Sequence, residues 1–178
     1  MNKQLLLDNL RNVPNFPIPG IQFKDVSTLY KNPACLNEML DELVRIYADK
    51  GITKVVGIES RGFVMGAMLA SRLNCGFVMC RKPGKLPAET LKESYGKEYG
   101  TDTIEIHTDA ISPNDVVLIH DDLLATGGSM LAAHNLVKKF NPKDIFINCI
   151  IELRIEGLKG REFLGEDKNI ETLLVIEE

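Results

Sequence analysis

Asp121 and Asp122 sit side by side between an apolar run, VVLI at 116–119, and a small-residue stretch, Ala125, Thr126, Gly127, Gly128 and Ser129. Each part of that string has a chemical use. Glycines let an anion approach the backbone closely, and a helix start offers unpaired N–H groups with a partial positive charge of about half an electron. Thr126 and Ser129 add hydroxyl donors. Together these groups suit a phosphate. No Lys follows the glycines, so the stretch is not the G-x-x-x-x-G-K-[ST] loop that cradles nucleoside triphosphates. Two carboxylates beside an anion site would repel the ligand unless they hold something neutral or cationic, such as sugar hydroxyls or a nearby Mg²⁺. A ribose carrying a 5-phosphate meets both demands.

Two further charged sets stand where they could meet the same ligand. Glu59, Ser60 and Arg61 follow the run KVVGI, and ligands in open parallel sheets collect at the carboxyl ends of strands. An arginine in that place is equally an ordinary solvated residue. Arg81, Lys82 and Lys85 fall within five residues of a chain whose net charge is −4. A charge run is usually a solvated face. Downstream, ESYGKEYGTD at 93–102 is polar and carries Tyr95, Glu98 and Tyr99, groups that an exposed hairpin would also show. His107 and His134 have no second ligand at metal spacing and read as structural. His120 adjoins the acidic pair but should point away from the loop.

Positioning these groups takes strands that end near one another and helices that cover them. The β-branched run at 116–119 fits a parallel strand buried on both faces. Ala133, Leu136, Val137 and Phe140, at i, i+3, i+4 and i+7, form one face of a helix after the loop. Further strands are predicted over 54–58, 76–80, 103–107, 144–152 and 171–176. Asn32 and Pro33 read as N-cap and first residue of a helix to about residue 48, with Leu36, Leu40, Leu43 and Tyr47 as its buried stripe. A short helix is expected over about 3–11. Pro14, Pro17, Pro19 and Gly20 then keep the chain irregular until a short extended run. Residues 86–103 are expected to form a mobile flap of the kind that shields a reaction from water. Strands alternating with helices argue a mainly parallel α/β sheet.

Composition excludes more than it assigns. The 178 residues suit one domain, and 44% apolar with 26% charged residues is ordinary for a soluble protein. A net charge of −4 gives no basic footprint, so nucleic acid is not an expected partner. Cys35, Cys75, Cys80 and Cys149 form no C-x-x-C and read as reduced thiols of a cytosolic protein. The first residues are too polar for a signal peptide, and no apolar run reaches membrane length, so no membrane is expected.

On these residues the chain resembles a known family. VVLIHDDLLATGGSM at 116–130 is similar to the phosphoribosyl pyrophosphate motif of type I phosphoribosyltransferases. DDLLATGG looks most like the adenine phosphoribosyltransferase version, with Ser129 where Thr is commoner and His120 where a small apolar residue is. FPIPGIQFKD (16–25), IESRGF (58–63), RKPGKLP (81–87), EYG (98–100) and IELRIEGLKGREFL (151–164) resemble other segments of the same family, in the same order, the last with a slightly longer spacer. The resemblance implies a type I phosphoribosyltransferase fold: a mainly parallel central sheet flanked by helices, one domain over residues 1–178, with an N-terminal hood over about 1–30 and a flexible flap over about 82–103.

It implies an activity as well, transfer of the 5-phosphoribosyl group from phosphoribosyl pyrophosphate to N9 of adenine, giving AMP and pyrophosphate. Mg²⁺ would be held mainly by the substrate's pyrophosphate and not by a protein ligand set. By the same match, Ala125, Thr126, Gly127, Gly128 and Ser129 bind the 5-phosphate. Asp121 and Asp122 bind ribose hydroxyls and steady the developing positive charge. Glu59, Ser60, Arg61, Arg81, Lys82 and Lys85 hold the pyrophosphate. Phe23 packs on the purine, the backbone of Gln22 and Lys24 reads its edge, and Leu153 faces it from the other side. Glu98 is the general acid/base and Tyr99 covers the reaction centre. A cytoplasmic homodimer is also implied. Two alternatives share the fold: a phosphoribosyltransferase for a 6-oxopurine, and a non-catalytic regulator that senses phosphoribosyl pyrophosphate. Glu98 and the basic RKPGK stretch argue against the regulator.

Overall fold

The computed structural model describes residues 1–96, 100–155, 157–165 and 168–177. Their contacts group into two compact units, Met1–Ile46 and Tyr47–Glu178.

The first unit opens with helix α1 (Lys3–Asn9), then two antiparallel strands, β1 (Arg11–Pro14) and β2 (Gln22–Asp25), a single turn α2 (Ser27–Tyr30), and α3 (Pro33–Tyr47), whose last residue belongs to the second unit. α3 begins where its sequence signal lies. Asn32 Oδ1 accepts from the amides of Ala34 at 3.0 Å and Cys35 at 3.4 Å, and Pro33 takes the first position, where no N–H is needed. Leu40, Leu43 and Tyr47 are buried as expected, but Leu36 is only half-buried, and Cys35 and Met39 complete the stripe instead. Strand β1 begins at Arg11, where the first helix was expected to reach, and runs to Pro14, the first of the prolines that argued for irregular chain. It forms because Val13 pairs with Phe23 and Arg11 with Asp25, leaving Pro14 at its end, where a missing donor is tolerated.

The second unit is built on five parallel strands in the order β4-β3-β7-β8-β9. These are β3 (Lys54–Ile58), β4 (Gly76–Cys80), β7 (Val116–Leu124), β8 (Asp144–Leu153) and β9 (Asn169–Ile176); β9 is an edge strand, as its sequence suggested. α4 (Gly62–Arg72) follows β3, α5 (Gly128–Lys138) follows β7, and the single turn α6 (Gly160–Leu164) precedes β9. Val55, Val56, Val117, Leu118, Ile119, Ile147, Ile150 and Ile151 are fully buried, which explains why these strands read as continuous apolar runs and not as alternations.

Two differences from the sequence reading bear on the site. β7 does not stop at Ile119 but continues through both aspartates to Leu124, because β8 keeps supplying backbone partners: Asp121 pairs with Cys149 and Leu124 with Glu152. The segment expected to form a mobile flap contains a strand not foreseen from the sequence, β5 (Thr90–Gly96), paired in register with β6 (Thr101–His107) as an antiparallel two-stranded sheet. Local polarity hid β5, whose partner lies a few residues away.

Candidate active site

The strand order grows outward in one direction from β3 to β4 and in the other from β3 to β7. An open sheet leaves a crevice beyond the carboxyl ends of strands at such a point. Glu59, Ser60 and Arg61 leave the end of β3, Arg81 to Lys85 leave the end of β4, and Asp121 and Asp122 lie toward the carboxyl end of β7. They converge on a pocket of about 450 Å³ lined by Glu59, Ser60, Arg61, Lys82, Lys85, Asp121 and Asp122. The Glu59–Ser60 peptide is cis. Gly62, the first residue of α4, packs so closely on β7 that a Cβ there would lie 2.7 Å from the His120 carbonyl oxygen. A larger residue would push the Arg61 turn away from the acidic pair.

The basic groups of the pocket are each met by a carboxylate. Arg61 Nε lies 2.6 Å from Asp122 Oδ2. Glu59 receives Lys85 Nζ at 2.5 Å, Arg81 Nε at 3.2 Å and the Lys82 amide at 3.0 Å. Lys82 Nζ stands 3.6 Å from Asp102 Oδ2. Burial alone would raise the Glu59 carboxyl, but the hydrogen bonds from Lys85, Lys82 and Arg81 outweigh it and hold it at about 2. Glu59 was expected among the pyrophosphate contacts. In this structure its carboxylate gathers the Lys85 and Arg81 cations.

Asp122 is buried and Asp121 partly so, and the Asp122 amide donates to Asp121 Oδ1 at 2.9 Å. Burial raises both carboxyls above the ordinary range; the Asp122 charge adds to this at Asp121, and Arg61 opposes it at both. The two titrate as a pair. Sugar hydroxyls donated to this pair, or positive charge placed next to it, would relieve the crowding.

The loop after β7 takes its shape from Gly127. Its φ of +85° is left-handed, and a Cβ there would lie 2.8 Å from the Gly160 carbonyl oxygen, so glycine is required on two counts. The Gly127 carbonyl accepts from Leu131 at 2.9 Å, which opens α5 at Gly128 and leaves first-turn amides without intrahelical acceptors, as an anion site needs. Thr126 is exposed, and Ala125, Gly128 and Ser129 are half-buried. The Tyr95 ring stands 3.5 Å from where a Gly128 Cβ would be, so the hairpin borders the loop.

His120 has no role in this pocket. Its side chain is fully buried, Nδ1 lies 2.8 Å from Asn148 Oδ1, and Asn148 Nδ2 donates to the Glu171 carbonyl at 3.1 Å, so it belongs to a polar thread across β7, β8 and β9. Burial pushes its pKa down to about 4.

The residues expected at the base belong to different units. Gln22, Phe23 and Lys24 form most of β2 in the first unit, where Phe23 is half-buried and meets Phe16 edge-on at 5.1 Å. Leu153 is buried at the end of β8 in the second, in register with Ile176. Glu98 and Tyr99 lie outside the described residues. Three acidic residues near the site escaped the sequence reading. Asp102 carries no local signal. Glu105 sits in TIEIH opposite its isoleucines, which suggested solvent; it is buried because the basic turn folds over it, with the Gly84 amide donating at 3.0 Å. Glu152 follows an apolar run, and its arginine partners are not recognisable from spacing. Among the described residues no three His, Cys, Asp or Glu side chains gather to hold a metal.

Comparison with known proteins agrees with this geometry. Residues 25–166 match the family model described as phosphoribosyl transferase domain. Over 176 residues the chain is 65% identical to the adenine phosphoribosyltransferase of Phocaeicola vulgatus, covering 99% of this chain and 100% of that protein. The crystal structure of adenine phosphoribosyltransferase from Rhodothermus marinus superposes with a TM-score of 0.90 at 48% identity, covering 97% of each chain. That of the Giardia lamblia enzyme, complexed with 9-deazaadenine, gives 0.92 at 41% identity over 100% of this chain and 99% of its own. With the strand-end pocket, the glycine loop and this full-length identity, the chain belongs to the phosphoribosyltransferase family and, within it, to the adenine phosphoribosyltransferases.

Proposed function

We propose that the pocket beyond β3, β4 and β7 is where this enzyme of purine salvage moves the 5-phosphoribosyl group from phosphoribosyl pyrophosphate to N9 of adenine. The bond from the anomeric carbon to the pyrophosphate oxygen breaks, the bond to N9 forms, and the N9 proton leaves. The observation that carries the assignment is the gathering of an acidic pair and the basic groups of two separate loops around one pocket beside a left-handed glycine loop. Ala125, Thr126, Gly127, Gly128 and Ser129 take the 5-phosphate through backbone N–H groups and hydroxyls. Asp121 and Asp122 accept from ribose hydroxyls and stabilise the positive charge that develops at the anomeric carbon. Arg61, Arg81, Lys82 and Lys85 pass from Glu59, Asp102 and Asp122 to the pyrophosphate, with Ser60 at the turn. Phe23, the backbone of Gln22 and Lys24, and Leu153 are assigned to the purine. Glu98 is assigned the N9 proton and Tyr99 the cover over the reacting carbon.

Mg²⁺ fits this pocket. The donors are hard oxygens, and the crowded acidic pair gains from nearby positive charge, while the remaining ligands come from the pyrophosphate. When bound, the ion lowers the charge penalty of the leaving group. The described cysteines are all free, which supports a reducing compartment such as the cytoplasm, and among the described residues no helix is long and apolar enough to cross a membrane. The functional unit is proposed to be a homodimer, which sedimentation would test.

The purified chain should be mixed with Mg²⁺, phosphoribosyl pyrophosphate and each of adenine, hypoxanthine, guanine and xanthine, with nucleotide and pyrophosphate measured. AMP from adenine alone is expected. Nucleotide from a 6-oxopurine would overturn the base assignment, and no product with any base would overturn catalysis.

A further inference from the structure

The segment after β8 is pinned to a single carboxylate at both ends. Glu152 is 1% exposed, and its oxygens accept from Arg154 Nε at 2.8 Å, from Arg161 Nε at 2.9 Å and Nη2 at 2.7 Å, and from Thr172 Oγ1 at 3.1 Å. Arg161 Nη1 donates in addition to the Ile170 carbonyl at 3.1 Å. Burial alone would raise the Glu152 carboxyl, but hydrogen bonds from Arg161 and then Arg154 hold it at about 2. A buried carboxylate held by two guanidinium groups and a hydroxyl resists rearrangement, and removing one member leaves a buried charge without its partner.

The residue before Arg161 touches the phosphate loop. Gly160 lies so close to it that a Cβ would run into the Ala125 carbonyl oxygen and come within 3.0 Å of Leu124 Cδ1, while a Cβ on Gly127 would lie 2.8 Å from the Gly160 oxygen. Backbone meets backbone with no side chain between to absorb a shift. Any displacement of Arg161 therefore reaches residues 125–127 directly. Leu153 is held separately, by its ladder pairing with Ile176.

We propose that Glu152 and Arg161 are positioning residues which, acting through Gly160, hold residues 125–127 in the shape that accepts the 5-phosphate. This rests on the assignment of that loop given above. Arg154 supplies an internal control: it binds the same carboxylate, but it begins the segment, is half exposed, and does not adjoin Gly160.

The test is steady-state kinetics of Arg161→Gln, Arg161→Lys, Glu152→Gln, Arg154→Gln and Gly160→Ala, scaled to folded protein, with ribose 5-phosphate binding measured by calorimetry. Arg161→Gln and Glu152→Gln should raise KM for phosphoribosyl pyrophosphate on the order of tenfold, since small misplacements of a binding group are that costly, and should weaken ribose 5-phosphate in parallel. KM for adenine should stay near wild type. Arg161→Lys should fall between, and Arg154→Gln should keep both constants. Gly160→Ala should reproduce the phosphoribosyl pyrophosphate effect with the ion cluster intact, and with Arg161→Lys it carries the test if Arg161→Gln does not fold. A merely structural cluster would lower the folded fraction with KM unchanged, and that result, or an equal effect from Arg154→Gln, overturns the proposal. Wild-type protein that makes no AMP would instead remove the functional assignment beneath it.

Discussion

Asp121 and Asp122 are adjacent on one strand, short of solvent, and share Arg61 as their nearest positive charge. Groups arranged for a ligand are often costly when the ligand is gone. Replacing Asp121 by Asn removes the repulsion, so Asp121→Asn should raise the melting temperature of the ligand-free protein, by the equivalent of about 1 kcal/mol. Under the proposed function the same change should cut AMP formation by roughly 10²-fold, because the charge assigned to stabilising the transition state is lost. Calorimetry and turnover on one preparation check both, and a variant that loses stability along with activity would contradict the reading. His120 gives a pH prediction. Its pKa is about 4 in the fold against an ordinary 6.5, so between those values the unfolded chain binds a proton that the folded chain refuses, and stability falls as pH drops. The full shift corresponds to roughly 3 kcal/mol. Glu59 and Glu152, held at about 2 against an ordinary 4.5, lose stability only below that value, whereas the acidic pair, raised, works in the opposite sense. The comparison of wild type with His120→Gln by urea unfolding from pH 7 to pH 4.5 isolates the histidine, and the variant should show the flatter slope. At this scale the acidic pair and the glycine loop were legible because residue type and spacing carry their chemistry, whereas Glu59 to Arg61 and the basic run were picked out by the family resemblance. Glu152 and Arg161 were not legible, since nothing in a buried carboxylate's own segment names its partners.

Elements were legible where local signals and tertiary contacts agreed. Asn32 and Pro33 mark the start of α3 because the cap is made by neighbouring residues, and Asn32 also donates to Asn9 Oδ1 at 2.9 Å. Asn32→Ala should cost about 1 kcal/mol of unfolding free energy without changing kcat, measurable as a shifted urea midpoint at constant slope. The carboxyl end of β7 and the whole of β5 were not legible, because strand pairing is decided by a partner and not by the strand's own polarity: Leu124 stays in the sheet through Glu152, and Ser94 through Thr103. The loop proposed to hold the 5-phosphate combines the two cases. Its glycines announce a tight turn, but only the structure shows Gly160 behind Gly127. Gly127→Ala should therefore do more than the roughly 1 kcal/mol of a positive-φ substitution alone, since the new methyl meets backbone that cannot turn aside. Loss of detectable ribose 5-phosphate binding in a protein that still melts cooperatively is the expected result.

Across the molecule, a chain of net charge −4 must, under the proposed function, admit a substrate that is itself a polyanion. The sequence showed that imbalance and the one compact basic stretch that offsets it. It did not show that Lys85 and Arg81 rest on Glu59, Lys82 on Asp102 and Arg61 on Asp122, because those partners come from other strands. Under the proposed function, substrate capture is an exchange of ion pairs: each cation would leave a carboxylate to meet a phosphate oxygen, and the field that draws the substrate in would be the difference between the two arrangements. Exposed charges are screened over about 8 Å at physiological salt, and the lysines here are half exposed, so this difference should weaken as salt rises. KM for phosphoribosyl pyrophosphate should increase severalfold between about 0.02 M and 0.3 M potassium chloride at constant free Mg²⁺, a range over which the Debye length shrinks from roughly 20 Å to under 10 Å. Adenine is neutral, so its KM should stay nearly flat across the same series. Parallel movement of both constants would mean that salt acts on folding or on the hairpin, and constancy of both would mean that the ion pairs are too well shielded for exchange to govern capture. Glu59→Gln sharpens the test: with the counter-charge removed, the variant should bind pyrophosphate more tightly than wild type at low salt, and the two should converge as salt screens the difference.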